Sequence, residues 1–223
     1  MRFLCLHGMG TNERMQIAEN PPASLCHALG DHHEYDFVEG NIPCSPAPGI
    51  AQFLTVGEEA ETFCFYEPNS ANSILTALAD LAWYIASEGP YQGVIGFSQG
   101  AALAATLMIK QGRNDYSTVH PLFQCAIFLC AGAPYDPVAL DQGKAVLLEA
   151  KPDAPSIRVA TAHVVGEKDD ALAASLALVE QCDPRNHRVY MHAGGHDVPR
   201  DVQGVRRMIS VVEEVLHLAS HAQ

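Results

Sequence analysis

The chain has 223 residues, of which 48% are hydrophobic and 17% are charged, and its formal net charge is −13. It is long enough to bury a sizeable core, and no linker, repeat or low-complexity tract divides it, so we expect one domain over residues 1–223. The acidic charge repels phosphate backbones and anionic lipid headgroups, which disfavours nucleic acids and membrane surfaces as partners.

Short β-branched or aromatic runs alternate with helical patterns, which is typical of a parallel sheet with crossover helices. Strands are predicted near residues 2–6, 34–38, 91–96, 123–130, 157–165 and 187–192. Helices are predicted near residues 13–29, with an interruption at Pro21-Pro22, and near 70–87, 99–110, 170–181 and 203–219. Several strands are apolar almost throughout, as burial on both faces requires. The fold class is therefore α/β, with a doubly wound, mostly parallel sheet of about six strands flanked by helices.

Two segments lack a regular pattern. Residues 39–69 are rich in proline and glycine but also carry Phe53, Phe65 and Tyr66. Such a loop either packs over the core or shapes a binding pocket. The pocket is favoured because the loop follows the second strand and so emerges at the carboxyl ends of the strands. The three aromatic residues are then candidate substrate contacts. Residues 132–155 follow the fourth strand and also emerge at the carboxyl ends of the strands. They either contribute to that pocket or contain a short surface helix near 139–149.

The N-terminus and the cysteines indicate the cellular compartment of the protein. The first eight residues form a mostly apolar stretch that is too short for a signal peptide, and no run approaches the roughly 20 apolar residues of a membrane-spanning helix. The seven cysteines are odd in number, form no CxxC pair and mostly lie in apolar runs. We therefore expect reduced thiols in a cytoplasmic protein, with no zinc site.

The motif with the most chemical content is Gly96-Phe97-Ser98-Gln99-Gly100. It follows an apolar strand and opens an alanine-rich helix, which is the setting of a nucleophile elbow. In such an elbow, small residues two positions either side of the serine let the backbone turn tightly enough to expose the hydroxyl. Ser98 is therefore the candidate nucleophile.

A serine nucleophile requires a base, and the chain has eleven histidines. His196 is favoured because it follows Gly194-Gly195 after the last strand, where glycines let the loop turn back towards the elbow. His192 is the nearest competitor, but as the last residue of its strand it points into or away from the sheet.

The base in turn requires a carboxylate that fixes its tautomer. Asp169 and Asp170 both follow the strand that ends near Val165, and either could instead cap the next helix. We favour Asp169 as the acid and Asp170 as the cap. The other candidates for the acid are Glu167, Asp183 and Asp197.

The order Ser98, Asp169, His196 along the chain is that of α/β-hydrolases, and each residue follows a strand. Backbone N–H groups of Gln99 and Met9 would then form the oxyanion hole. His7 is expected to hold the loop that carries Met9 rather than to touch substrate.

Four motifs in order resemble the fungal FSH-type serine hydrolases. They are Leu4-Cys5-Leu6-His7-Gly8, the elbow at residues 96–100, His163-Val164-Val165-Gly166-Glu167-Lys168-Asp169, and Gly194-Gly195-His196-Asp197-Val198-Pro199. The resemblance spans nearly the whole chain and implies an α/β-hydrolase fold with little or no cap, and a triad of Ser98, Asp169 and His196. The chain departs from the family at Asn20-Pro21-Pro22, where a longer continuous helix is usual.

The predicted reaction is hydrolysis of a carboxylic ester or acyl thioester through an acyl-enzyme, without metal or organic cofactor. The resemblance implies carboxylesterases, and thioesterases that release polyketide or other acyl chains from an acyl carrier protein or CoA in secondary metabolism. The alternatives are a general small-molecule carboxylesterase, a non-catalytic binding protein that kept the fold, and a peptidase.

Overall fold

The computed structural model describes residues 1–12, 21–30, 32–48, 61–113, 121–148 and 154–221. In chain order, the strands are β1 Arg2–Leu6, β2 Glu34–Val38, β3 Ile42–Pro43, β4 Phe63–Cys64, β5 Gly93–Phe97, β6 Cys125–Leu129, β7 Ala160–Gly166 and β8 His187–His192. The helices are α1 Pro21–Leu29, α2 Ala71–Glu88, α3 Gln99–Gly112, α4 Pro137–Asp141, α5 Leu172–Glu180 and α6 Val202–His221.

Six of the strands form one sheet in the order β2-β1-β5-β6-β7-β8, and each neighbouring pair is parallel. The strand order reverses between β1 and β5, so the loops that follow these two strands diverge from a shared crevice at the carboxyl ends. The predicted α/β fold with a six-stranded sheet is confirmed. Ser98 directly follows β5 and therefore lies at this crevice.

Successive side chains of a strand are buried on opposite faces of the sheet. On one face, Leu4 and Leu6 join a core with the apolar sides of α2 and α3. On the other face, Phe3 and Cys5 pack into a core with α1 and α6. Both faces are covered, which explains why the central strands are apolar throughout.

Helix α1 begins at Pro21, where the sequence suggested an interruption. Proline is tolerated in the first turn because its missing N–H would have no partner there, so the two prolines start the helix. The earlier part of the predicted helix, residues 13–20, lies outside the described residues.

The two irregular segments contain short elements. The described part of residues 39–69 includes the antiparallel pair β3 and β4. In the second segment a five-residue helix, α4, starts at Pro137 with Asp136 as its N-cap, so the helix predicted near 139–149 begins earlier and is shorter. No helix in the described ranges combines the length and apolar composition needed to cross a bilayer.

Candidate active site

Ser98 occupies a tight turn between β5 and α3. Its backbone has φ 52° and ψ −112°, a left-handed φ that is uncommon for a residue with a side chain. The Ser98 N–H donates to the carbonyl of Leu129 across 2.9 Å, which anchors the turn to β6. A Cβ on Gly96 would lie 2.5 Å from Ala101 Cα, and one on Gly100 would lie 2.6 Å from the carbonyl oxygens of Leu6 and His7. The two glycines therefore permit the close approach that the elbow needs.

The structure brings Ser98, His196 and Asp169 into one hydrogen-bonded line. Ser98 Oγ lies 2.9 Å from His196 Nε2, and His196 Nδ1 lies 2.8 Å from Asp169 Oδ2. A carboxylate only accepts hydrogen bonds, so these partners assign the imidazole proton to Nδ1 and leave a lone pair on Nε2 that faces the serine hydroxyl. The His196 side chain is 41% exposed, whereas that of Asp169 is 2% exposed. Solvent therefore reaches the imidazole but not the carboxylate.

Asp169 is held by its own loop as well as by His196. Its Oδ1 accepts a hydrogen bond from the backbone N–H of Ala171 across 2.7 Å, which leaves Oδ2 for the imidazole. Asp170, the neighbouring candidate, is exposed, and the prediction that it caps the next helix is wrong, because the N-cap of α5 is Ala171. Of the other candidates, Asp183 binds Arg185 in an ion pair at 2.8 Å.

The remaining two acids, Glu167 and Asp197, are exposed. His192, the competing base, is buried and accepts a hydrogen bond from the Gly194 N–H across 3.2 Å at Nδ1. Its Nε2 is buried without a partner among the described residues. His192 therefore supports the loop that carries His196, and Ser98 is bonded to His196 instead.

The loop after β1 lies against the elbow. A Cβ on Gly8 would lie 2.8 Å from the Phe97 ring and 3.3 Å from Ser98 Cβ, so glycine at this position lets the loop lie close to the elbow. His7 is buried, and its Nε2 accepts a hydrogen bond from the Gly40 N–H across 2.8 Å while Nδ1 bonds the Gly8 carbonyl. Met9 follows directly and is exposed. The backbone around Met9 thus lies beside Ser98, and the oxyanion roles of the Met9 and Gln99 amides stay predictions.

The Gln99 side chain has a structural task that sequence reasoning missed. Its Oε1 accepts a hydrogen bond from the Phe65 N–H across 2.8 Å, and its Nε2 donates to the Tyr66 carbonyl across 2.9 Å. These bonds tie the segment after β4 to the elbow. No local sequence signal could have shown this, because the partners lie more than thirty positions away.

The three aromatic residues proposed for substrate contact have different positions. Phe53 lies outside the described residues. Phe65 and Tyr66 are 8% and 3% exposed, and their rings pack against those of His7 and Tyr135. Both are therefore part of the core, and a direct contact with substrate stays a prediction.

Cys130 is the other residue that sequence reasoning missed. Within the described part of the chain, it forms with Asp169 and His196 the one group of three possible metal ligands, all within 4.8 Å of one another. Asp169 and His196 are already bonded to each other, and burial together with the nearby charges of Asp169 and Asp197 raises the pKa of the Cys130 thiol to about 12. A protonated, buried thiol is a poor metal ligand, so the geometry favours a hydrogen-bonded network.

Comparison with known proteins identifies the family. The family model "Serine hydrolase (FSH1)" matches residues 1–208. Esterase FPY3 of Fusarium mangiferae is 44% identical over 220 residues, which cover 97% of each chain. Hydrolase phiM of Talaromyces stipitatus is 30% identical over 228 residues, covering 96% of this chain and 87% of that protein.

Solved structures show the same fold at lower identity. A carboxylesterase from Mesorhizobium loti superposes with a TM-score of 0.61 at 19% identity, over 97% of this chain and 88% of that chain. Acyl-protein thioesterase 2 of Zea mays gives a TM-score of 0.57 at 17% identity, over 96% and 93%. With the family model and the relatives covering nearly all of its length, the chain belongs to the FSH1 serine hydrolase family, and the predicted family and enzyme class are confirmed.

Proposed function

We propose that this enzyme hydrolyses a carboxylic ester or an acyl thioester, with Ser98 as nucleophile, His196 as base and Asp169 as the acid that orients His196. The observation that carries the proposal is the continuous line of two hydrogen bonds, 2.8 and 2.9 Å long, from Asp169 through His196 to Ser98. A serine hydroxyl becomes an effective nucleophile only when an adjacent base takes its proton, and His196 Nε2 has the position and the lone pair to do so.

The reaction proceeds in two halves. Ser98 Oγ attacks the acyl carbonyl while His196 Nε2 takes its proton, and the resulting imidazolium is stabilised by the buried Asp169 carboxylate. His196 then returns the proton to the departing alcohol or thiol, which leaves an acyl-enzyme on Ser98. Water enters from the exposed side of His196, gives a proton to its Nε2 and attacks the acyl carbon. The bond from that carbon to Ser98 Oγ then breaks, His196 returns the proton to Oγ, and the carboxylic acid leaves.

The developing negative charge on the substrate oxygen needs hydrogen-bond donors. We assign this task to the backbone N–H groups of Gln99 and Met9. Gln99 is the first residue of α3, and the first N–H groups of a helix have no partner within it. Met9 follows Gly8, whose position against Ser98 brings this loop within reach of the reacting carbonyl. A donor of this kind typically contributes about 2.7 to 4 kcal/mol to transition-state stabilisation.

The substrate we propose is a small-molecule acyl ester, or a thioester presented on an acyl carrier protein or CoA, including polyketide chains of secondary metabolism. Relatives named esterase and hydrolase support the ester class. The reaction needs only proton transfer and electrostatic stabilisation, so we propose no cofactor. We propose a reducing cytoplasmic location, which the seven free cysteines support.

A fluorophosphonate probe tests the nucleophile, because it labels only an activated serine. We expect rapid stoichiometric labelling of the wild-type protein and none of Ser98→Ala, with circular dichroism showing that both are folded. Absent labelling of folded wild-type protein would instead indicate a binding protein that kept the fold.

The leaving group requires a matched pair of substrates. Intact-protein mass spectrometry after brief exposure to the same acyl group as an aryl ester and as a CoA thioester would show which one acylates Ser98. Faster acylation by the thioester supports thioesterase activity. Faster acylation by the aryl ester supports a general carboxylesterase.

A further inference from the structure

Cys130 has an unusual backbone at an exceptional place in the fold. It directly follows β6, between the strand that carries Ser98 and the strand that leads to Asp169. Its φ is 44°, in the left-handed region, and its side chain is fully buried. A non-glycine residue at such an angle is uncommon and persists only where its surroundings hold it. The turn directs the thiol towards the loop that carries His196.

The thiol contacts that loop on both sides of the imidazole. Cys130 Sγ lies 2.9 Å from the carbonyl oxygen of Asp197 and 4.0 Å from that of Gly195. These carbonyls belong to the residues immediately after and before His196. A bond from the thiol to the Asp197 carbonyl therefore restrains the backbone that carries the proposed base.

The same sulfur also borders the proposed acid. Sγ lies within 4.8 Å of a carboxylate oxygen of Asp169 and of a ring nitrogen of His196. Burial, strengthened by the negative charges of Asp169 and Asp197, raises the pKa of the thiol to about 12, so it carries its proton at neutral pH. A protonated thiol is a weak hydrogen-bond donor with an apolar body. It can therefore donate to the loop and also exclude water from the carboxylate.

We propose that Cys130 is a positioning residue for His196 and Asp169, holding the base loop through a thiol to carbonyl hydrogen bond; this inference rests on the proposed function. The donor, rather than the volume of the side chain, is what the arrangement requires. Without it, the 194–197 loop gains freedom, and His196 is in line with Ser98 for a smaller fraction of the time. Substrate binding does not depend on that alignment, so the effect falls on kcat and not on KM.

Two substitutions of Cys130 separate the donor from the packing. Cys130→Ala removes the donor, whereas Cys130→Ser keeps a donor of similar size. We expect the alanine variant to lose about tenfold in kcat and in fluorophosphonate labelling rate, which corresponds to about one neutral hydrogen bond, with KM nearly unchanged. The serine variant should recover most of the loss. If the alanine variant does not fold, Cys130→Gly replaces it, because glycine suits a left-handed φ.

Cys125 provides the matched control. It is fully buried at the opposite end of the same strand, and burial raises its pKa as well. Cys125→Ala should therefore cost stability but keep wild-type kcat. A Cys130→Ala enzyme with wild-type kcat, or any result in which the serine variant is no faster than the alanine variant, would overturn the inference. Failure of the proposed function would give a different result: the probe would not label the wild-type protein, or it would label the Ser98→Ala variant.

Discussion

The backbone N–H of Gly100 donates a hydrogen bond to the carbonyl oxygen of His7 across 3.1 Å. This contact joins the first turn of α3 to the loop after β1, the two segments that flank the strand-order reversal. The distance between Ser98 and Met9, the proposed oxyanion donor on the β1 loop, therefore depends on how closely Gly100 approaches β1.

Gly100→Ala tests this close approach. An added methyl group would lie 2.6 Å from the carbonyl oxygens of Leu6 and His7, which are backbone atoms that cannot rotate away. We expect the free energy of unfolding to fall by about 1–3 kcal/mol and the labelling rate of Ser98 to fall as the loop is displaced. Urea denaturation and fluorophosphonate labelling measure the two effects. Gly112→Ala, at the other end of the same helix, should be milder because its nearest contact lies at 3.3 Å. Equal effects of the two substitutions would contradict this account.

Asp169→Asn tests the orientation of the imidazole. An amide can present its N–H to His196 and thus favour the tautomer whose Nε2 is already protonated, which cannot accept the serine proton. We expect kcat to fall by about 10⁴-fold while the fold is retained. Asp170→Asn is the matched control, since Asp170 is the exposed neighbour. Steady-state kinetics of both variants decide the assignment, and a larger loss in Asp170→Asn would transfer the acid role to Asp170.

The choice between two histidines can be tested in the same assay. His196→Ala removes the proposed base, whose Nε2 bonds Ser98 Oγ, so turnover should fall to the background of the Ser98→Ala variant. His192→Ala removes the acceptor for the Gly194 N–H and a ring contact with Tyr190, but no bond to Ser98, so we expect a loss within about tenfold. The opposite ranking of the two variants would show that the base is His192.

The buried His163 predicts how stability depends on pH. Its Nε2 bonds Thr161 Oγ1 at 3.0 Å, and burial, with the nearby His187, lowers its pKa from 6.5 to about 3. Below about pH 6.5 the unfolded chain binds a proton here that the folded protein does not. Stability is therefore fully present above pH 6.5 and falls by about 1.4 kcal/mol per pH unit until about pH 3.

Urea denaturation between pH 7 and pH 4 measures that slope. His163→Gln keeps a polar group near Thr161 but cannot take up a proton, so its stability should depend less steeply on pH than that of the wild type. His27→Gln, at an exposed position of α1, is the control. The prediction fails if wild type and His163→Gln have the same slope.

Hydrophobic patterning was sufficient to predict the order and approximate positions of the strands in the main sheet. The errors lie in where some strands start, and they have a physical cause. The bounds of β1, β2 and β8 agree with the predicted strands. The runs predicted from 123 and 157 start pairing in the sheet only at Cys125 and Ala160. Phe123 and Ile157 are buried all the same, because apolar side chains enter the core without belonging to a strand. Hydrophobic periodicity indicates which residues are buried. The ends of a strand depend instead on backbone hydrogen bonds to neighbouring strands that are distant in sequence.

For the site, the sequence by itself determined the candidate residues and the strands that they follow. Both signals are local: small residues surround the serine of the elbow, and two glycines precede His196. The sequence could not choose between Asp169 and Asp170, or exclude His192, on geometry. Those choices depend on side-chain direction, and adjacent residues point in different directions. Only the tertiary structure joined Ser98 to His196, 98 positions apart, and directed the Cys130 thiol to the same loop. Contacts of this kind arise from how the strands lie side by side in the sheet, which no local pattern encodes.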